Sequence, residues 1–483
     1  MCGVHARVEP AGEATPETKP MTLLLQLVPL LVLIVLLGIV RTGPVTACLA
    51  AMAASIPAYL AAEPTTTLPA FLASSLAEGT WLAIAPVSIV AAGLVFHSAV
   101  TIEERPVTAP GDIADRLFTA AFLLGPFAET VTGFCVGAIF ALGVMRQAGV
   151  AGVPAAAMSL LTLALIPWGG LGPGTAVGAA ISGVPGQELG ARNAWIVAFE
   201  LPLLLALFWH WSNKAGFPTP HARKLGQLAW VIAVGASLIV WHRFAPWELV
   251  GVLATGPLLA LRLLLSDPPR TIAAWRHAGA RALPYLLLAG VLLTSRLWRD
   301  APAFAPFAGL PPIAANHAMV SIALVALFVA LLRPQPAQLI ASALARAWRP
   351  ALALLMFVLL SRFLSNAGIP QALAHALAHG LGTAAPFASP VLAGIAAFFA
   401  GTNVGANSTM MSLQSELGRL AGMDRAALPA IQNGTLFLLL APQVVGMVAG
   451  LAGPGVTPAA IWRTAWPVAL VSLAVGLAAV AAG

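Results

Sequence analysis

Long apolar runs separated by short polar connections dominate this chain. Met21–Val40, Trp81–Val100, Asn193–Trp211, Leu228–Val240, Leu249–Leu265, Ala318–Leu332, Ala351–Leu364 and Trp462–Val480 are examples. A helix needs roughly 20 apolar residues to cross the hydrocarbon of a bilayer, and some of these runs reach that length only with flanking residues. The pattern predicts an all-α polytopic membrane protein with about 12 spanning helices. Two regions interrupt it. Gly401-Thr402-Asn403-Val404-Gly405-Ala406-Asn407-Ser408-Thr409 follows the apolar run Val391 to Ala400. Gly125-Pro126-Phe127-Ala128-Glu129-Thr130-Val131-Thr132-Gly133 places a carboxylate among apolar neighbours. Hydrocarbon cannot hydrogen-bond backbone or amides, so irregular backbone at membrane depth survives only where protein buries it or water reaches it.

The two interruptions share a downstream skeleton. Arg146-Gln147-Ala148-Gly149 precedes Pro154 and Pro167; Arg419-Leu420-Ala421-Gly422 precedes Pro429 and Pro442. The interval from proline to proline is the same in both. A weaker pairing sets Trp81 to Pro86 against Trp348-Arg349-Pro350, each taken to open an apolar helix. Interrupted hydrophobic segments at corresponding places in two halves point to a transport site. The expected organisation is a polar tail over residues 1–20 and a single membrane domain over 21–483. The repeats would cover about 69–211 and about 316–483, around a middle region of plain helices.

Composition agrees with the pattern. Of 483 residues, 59% are hydrophobic and 8% charged, against roughly 25% charged in a soluble domain. The net charge of +7 comes from scattered residues rather than a dense run, which argues against nucleic acid as a partner. Lys214, Arg223 and Lys224 lie in one connection, Arg270, Arg276 and Arg281 in the next, and Arg333, Arg346 and Arg349 flank another. The intervening connections, Trp241–Trp247 and Arg299–Pro312, are less basic. This alternation fits basic loops on the cytoplasmic side. Cys2, Cys48 and Cys135 are too few and too scattered for a disulfide framework or a CxxC site. Residues 1–20 lack the basic start and apolar core of a cleaved signal peptide, so Met21–Val40 is expected to remain as a helix.

Glu129 reads as a proton carrier or as an acceptor that braces a broken helix, since ionisable groups inside a membrane are paired or lie on an ion route. Gly401 and Gly405 allow close backbone approach. A helix restarting near Asn407 would aim unsatisfied N–H groups at a carboxylate. Gln432, Asn433 and Gln443 lie on a helix expected over Pro429–Ala449, where Pro442 frees a carbonyl. Pro167 to Thr175 breaks its own segment more sharply. His375 and His379 can share a helix face, but no third ligand is near, so no metal or cofactor is expected. No Walker pattern, nucleophile–base order or HExxH is present, which speaks against an ATP-driven pump and against an enzyme.

At these residues the chain resembles the L-lactate permease family. The resemblance rests on Gly125–Gly133 with Phe134, on Ala77-Glu78-Gly79-Thr80-Trp81, and on Gly401-Thr402-Asn403 through Asn407 with Leu413-Gln414. Ala430–Gly434 and Ala441-Pro442-Gln443 add to it, and it runs from about Leu68 onward. The resemblance implies re-entrant hairpins in two inverted repeats. It implies a secondary transporter of small 2-hydroxy monocarboxylates such as lactate and glycolate, moved with protons across the plasma (inner) membrane. The chain departs from the family pattern: Asn403 stands where an aspartate is common, Phe437–Leu440 stands where a lysine is usual, and Trp168–Thr175 replaces an Asn-Thr-Pro element. The expected substrate site is Gly401, Thr402, Asn403, Gly405, Asn407, Ser408, Thr132, Gly133, Gln432, Asn433 and Gln443, with Glu129 coupling the proton. A sodium-coupled carrier of another organic anion and an anion channel are the alternatives.

Overall fold

The computed structural model describes residues 20–100, 112–133 and 135–483. The tail expected over 1–20 lies outside the described residues, apart from Pro20 at the head of the first helix, and so does Phe134. Among the described residues the chain is helical throughout, except for connections and a two-residue antiparallel ladder between Ala303–Phe304 and Ile313–Ala314. Among the described residues, eleven helices are long and apolar enough to cross a membrane, or 12 if the bent pair Pro458–Ala465 and Pro467–Ala481 counts as one. The protein is therefore an all-α, multi-pass integral membrane protein. Large side chains such as Phe199, Leu225, Ile232 and Leu286 stay exposed on these helices, where lipid rather than water is their solvent.

Several boundaries differ from the sequence expectation. The basic connection after Ser266 is shorter than read. Thr271 caps a helix over Ile272–Ser295, its side chain accepting from the Ala274 N–H at 3.1 Å. Arg276 and Arg281 therefore ride on the first turns of a helix. Ala318–Leu331 forms a helix of 14 residues, shorter than the other spans. Pro86 and Pro350 open nothing: they lie inside Leu68–Val100 and Pro336–Asn366. Interior prolines are tolerated where neighbouring helices satisfy the freed carbonyl. These two long helices pack on each other, joined by Arg362 to Glu78 near one end and by Arg346 to Ser98 near the other.

Two helical hairpins carry the interruptions. In hairpin one, residues 113–132 run inward and Val136–Gln147 runs back; in hairpin two the arms are Ser389–Ala400 and Asn403–Leu420. Hairpin one is tied at its base to the basic end of the molecule. Arg223 binds Asp112, and Asp115 lies 3.0 Å from Arg262. Hairpin two is tied to the opposite end, where Asp424 and Arg425 meet Arg192 and Glu188 at the start of helix Gly186–Lys214. The hairpins thus enter from opposite ends of the bundle. Each is followed by a broken helix. The shared skeleton appears as the same devices in both: Gly149 (φ 85°) and Gly422 (φ 67°) end the return arm in the left-handed conformation. Pro154 and Pro429 each take the third position of the next helix, Gly152–Leu160 or Ala427–Gly434. There the missing N–H costs nothing, because first-turn donors have no intrahelical partner.

Candidate functional site

Hairpin one turns at Gly133 (φ 69°) and Cys135 (φ 63°). Cysteine rarely adopts this conformation, and Glu129 supports it from the incoming arm. Its carboxylate accepts from Cys135 N–H at 3.3 Å through Oε1 and from Gly137 N–H at 3.0 Å through Oε2. Glu129 therefore caps the returning helix Val136–Gln147, whose first donors would otherwise be unpaired. Gly137 has to be glycine for the arms to close, since a methyl there would lie 2.3 Å from Gly125 O. Thr132 turns its hydroxyl back onto Ala128 O at 2.6 Å.

Hairpin two turns at Gly401 (φ 67°). The helix restarts at Asn403, not near Asn407, because Thr402 is an effective cap: its Oγ1 accepts from Gly405 N–H at 3.0 Å. Asn407 consequently lies in the second turn and is fully buried. Thr402 and Gln443 are exposed, so one flank of this tip is open.

The helix expected over Pro429–Ala449 is in fact broken. Ala427–Gly434 stops, Leu436–Leu440 forms a 3-10 segment, and Pro442 opens a new helix over Pro442–Ala452. The freed backbone groups find partners in the following span. Trp462 Nε1 donates to Leu440 O at 2.8 Å, and Leu436 N–H donates to Ser472 Oγ at 2.9 Å. The first-half segment breaks as expected. A 3-10 stretch over Leu161–Leu171 gives way at Gly170 and Gly172, both at positive φ, to helix Pro173–Ser182. Thr175 Oγ1 donates to Pro167 O at 2.6 Å across this break.

The stretch Gly169–Gly174 is the common lining. A methyl on Gly169 would lie 3.6 Å from Glu129 Oε1, one on Gly170 3.3 Å from Gly133 Cα, and one on Gly174 2.6 Å from Asn403 Nδ2. Hairpin one and hairpin two thus each press on the first helix break. Asn433 sits at the centre of a buried amide cluster there. Its Oδ1 accepts from Asn407 Nδ2 at 2.8 Å and Asn403 Nδ2 at 3.2 Å. Its Nδ2 donates to Asn193 Oδ1 at 2.7 Å and to Thr175 Oγ1 at 2.9 Å. Asn407 Nδ2 also donates to Gly174 O at 2.9 Å. Ser408 Oγ and Asn407 Oδ1 are buried with no partner among the described residues.

Of the expected site residues, Gly401, Thr402, Asn403, Gly405, Asn407, Asn433 and Gln443 come together at this tip. Gln432 does not join Gln443. Its side chain is buried beside Gln414, whose Nε2 lies 3.5 Å from Gln432 Oε1, whereas Gln443 lies against Gly401 and donates to Phe399 O at 3.2 Å. Asn193 and Thr175 belong to the cluster although neither was singled out from sequence. The signal for Asn193 was available: an amide in an apolar helix, seven residues before Glu200 and so on the same face.

A cavity of about 500 Å³ lies alongside helix Pro173–Ser182. Trp81, Pro86, Trp247, Arg296 and His317 line it, and Ala176 brings it to within one residue of Thr175. Arg296 Nη2 donates to Glu248 Oε1 at 2.7 Å. Burial and the nearby Arg296 guanidinium hold the His317 imidazole below its usual range, so it is neutral at pH 7. His317 Nδ1 accepts from the Met319 N–H at 3.2 Å. The Trp247 ring packs over Gly172 at the first break and over Gly186.

Residues 307–479 match the L-lactate permease family model. That stretch contains hairpin two, the second helix break and the closing span; hairpin one and the first break precede it. No curated protein matches the chain. Through residues 307–479, and with a polytopic helical architecture around them, the chain is similar to the L-lactate permease family.

Proposed function

We propose that this protein is a proton-coupled secondary transporter of small 2-hydroxy monocarboxylates, lactate and glycolate foremost, in the plasma (inner) membrane. The observation that carries the reading is the family match over hairpin two and the second break. The geometry there suits a carboxylate. Three half-helices begin around the Gly401–Thr402 tip: Pro173–Ser182, Asn403–Leu420 and Pro442–Ala452. Helix N-termini present unpaired N–H groups and a positive dipole end to an anion. The fourth half-helix start, Val136, already has a carboxylate in Glu129.

In this reading the substrate carboxylate meets the N-terminal turns near Asn403 and Gly174. The amides of Asn403 and Asn407 orient it, and Gln443 at the open flank takes the 2-hydroxyl. Glu129 acts as the brace of hairpin one. Alternating access comes from rocking of the hairpins and half-helices about this point. Vesicles containing the protein should accumulate labelled lactate when an inward proton gradient is imposed. No gradient-dependent uptake across a panel of hydroxy acids would sink the proposal, and uptake that follows a sodium gradient alone would reassign the coupling ion.

A further inference from the structure

Carboxylates inside the bundle differ in their partners. Glu78 is paired with Arg362, and Glu248 with Arg296. Both Glu129 oxygens accept backbone N–H groups. Glu200 has none of these. It lies in the middle of the spanning helix Gly186–Lys214, is 1% exposed, and its Oε2 has no hydrogen-bond partner among the described residues. An ionisable group inside a membrane is ordinarily paired or sits on a proton or ion route. Glu200 has no pair.

Its surroundings are specific. Glu200 borders a cavity of about 10 Å³, room for about one water molecule. Ile196 one turn earlier on the same helix, Pro390 of hairpin two, Ile431 and Gly434 of the second half-helix, Thr435 of the break, and Ser472 and Gly476 of the closing span form the rest of its wall. None of these groups titrates or carries charge. The Thr435 and Ser472 hydroxyls, 3.4 Å apart, are the polar groups that can relay a proton to or from the carboxyl.

The same two helices carry Glu200 and the amide cluster. Helix Gly186–Lys214 supplies Asn193, two turns before Glu200; helix Ala427–Gly434 supplies Asn433, one residue before Gly434. The Asn193–Asn433 bond of 2.7 Å and the Glu200 cavity therefore lie along one seam. The Glu200 cavity borders that seam, so movement at the seam reaches both the carboxyl and the amides around the hairpin-two tip.

We propose that Glu200 carries the coupled proton: it takes up H⁺ to become the neutral acid with the seam open to one face, and releases it as carboxylate with the seam open to the other. No bond but O–H forms or breaks. This rests on the proton-coupled reading above and adds the residue that carries it.

Two measurements test it. Infrared titration of the purified protein should show a protonated carboxyl band that disappears with pH and is missing in Glu200→Gln. This readout needs no substrate. In vesicles, a pH step of one unit supports about tenfold accumulation by a one-to-one symporter. Glu200→Gln should lose that accumulation and its pH dependence while keeping lactate–lactate exchange within about twofold of the parent, and Glu200→Asp should restore accumulation with a displaced pH profile. Glu129→Gln should depress accumulation and exchange together. An infrared band unchanged in Glu200→Gln, full accumulation by that variant, or loss of exchange along with accumulation in both Glu200 variants would overturn the assignment. A parent protein with the band but without transport of any hydroxy acid would overturn the transport reading and leave the protonation of Glu200 standing.

Discussion

Asn433 accepts two hydrogen bonds and donates two in a place where water does not compete. Removing such a group leaves its partners buried and unpaired, at about 1–3 kcal/mol each. Asn433→Ala should therefore lower the unfolding midpoint in detergent and abolish lactate-dependent stabilisation together. Gln432→Ala next door is the contrast. Its Nε2 has no partner among the described residues and it points toward Gln414, so it should cost less stability and leave substrate affinity unchanged. Gln443→Ala should keep stability and narrow the preference for hydroxy over non-hydroxy acids. Equal effects of Gln432 and Gln443 on affinity would contradict this division. The sequence marked all three residues alike, as amides near one proline. It could not separate them, because the break after Gly434 reorients everything beyond it. Asn193 stands out as an amide in an apolar helix, but its partner Asn433 is distant in sequence, and only packing joins them.

At the scale of elements, the hairpin tips are held by backbone conformations that few residues adopt. Gly401 combines φ 67° with a near contact, since a methyl there would lie 2.5 Å from Gln443 Oε1. The left-handed conformation costs an L-residue roughly 1–2 kcal/mol, and the added methyl displaces the Gln443 amide from its place against the tip. Gly401→Ala should cut transport by up to about 100-fold, the penalty for misplacing reacting or binding groups by about an ångström. Gly446, inside Pro442–Ala452, has nothing within 4 Å of an added methyl. Gly446→Ala should leave transport intact and stabilise its helix by up to about 1 kcal/mol. If both variants behave alike in an uptake assay, the tip geometry is not what matters. Both interruptions could be read from sequence, since glycines and amides crowded into an apolar run cannot be satisfied by lipid and must turn toward protein or water. The restart at Asn403 instead of near Asn407 depended on Thr402 acting as cap. The breaks at Thr435 and Ala441 depended on Trp462 and Ser472 being close enough to take the freed backbone groups.

For the whole molecule, charge and cavity define two faces. Helix Gly186–Lys214 ends among Lys214, Arg223 and Lys224, the base of hairpin one, whereas its start lies with the base of hairpin two. The cavity beside Pro173–Ser182 is bordered by Gly183–Gly186, Trp247, Arg296 and Gly309–Ile313. Apart from Arg296, which is paired with Glu248, these residues lie at connections poorer in Lys and Arg than those at the base of hairpin one. The positive-inside rule predicts that this face is external, and a volume of about 500 Å³ is ample for a three-carbon acid. Substituted cysteines can check both points with a membrane-impermeant thiol reagent on intact cells. Gly309→Cys should label from outside, and Ala215→Cys only after permeabilisation. Ala176→Cys is the deeper probe, because it lines the cavity one residue from the amide cluster. It should label more slowly than Gly309→Cys, and added lactate should slow it further while leaving Gly309→Cys unchanged. Labelling of Ala215→Cys in intact cells would invert the orientation. Labelling of Ala176→Cys indifferent to every hydroxy acid would separate the cavity from the substrate path and leave access to the Gly401–Thr402 tip to its other, open flank at Gln443.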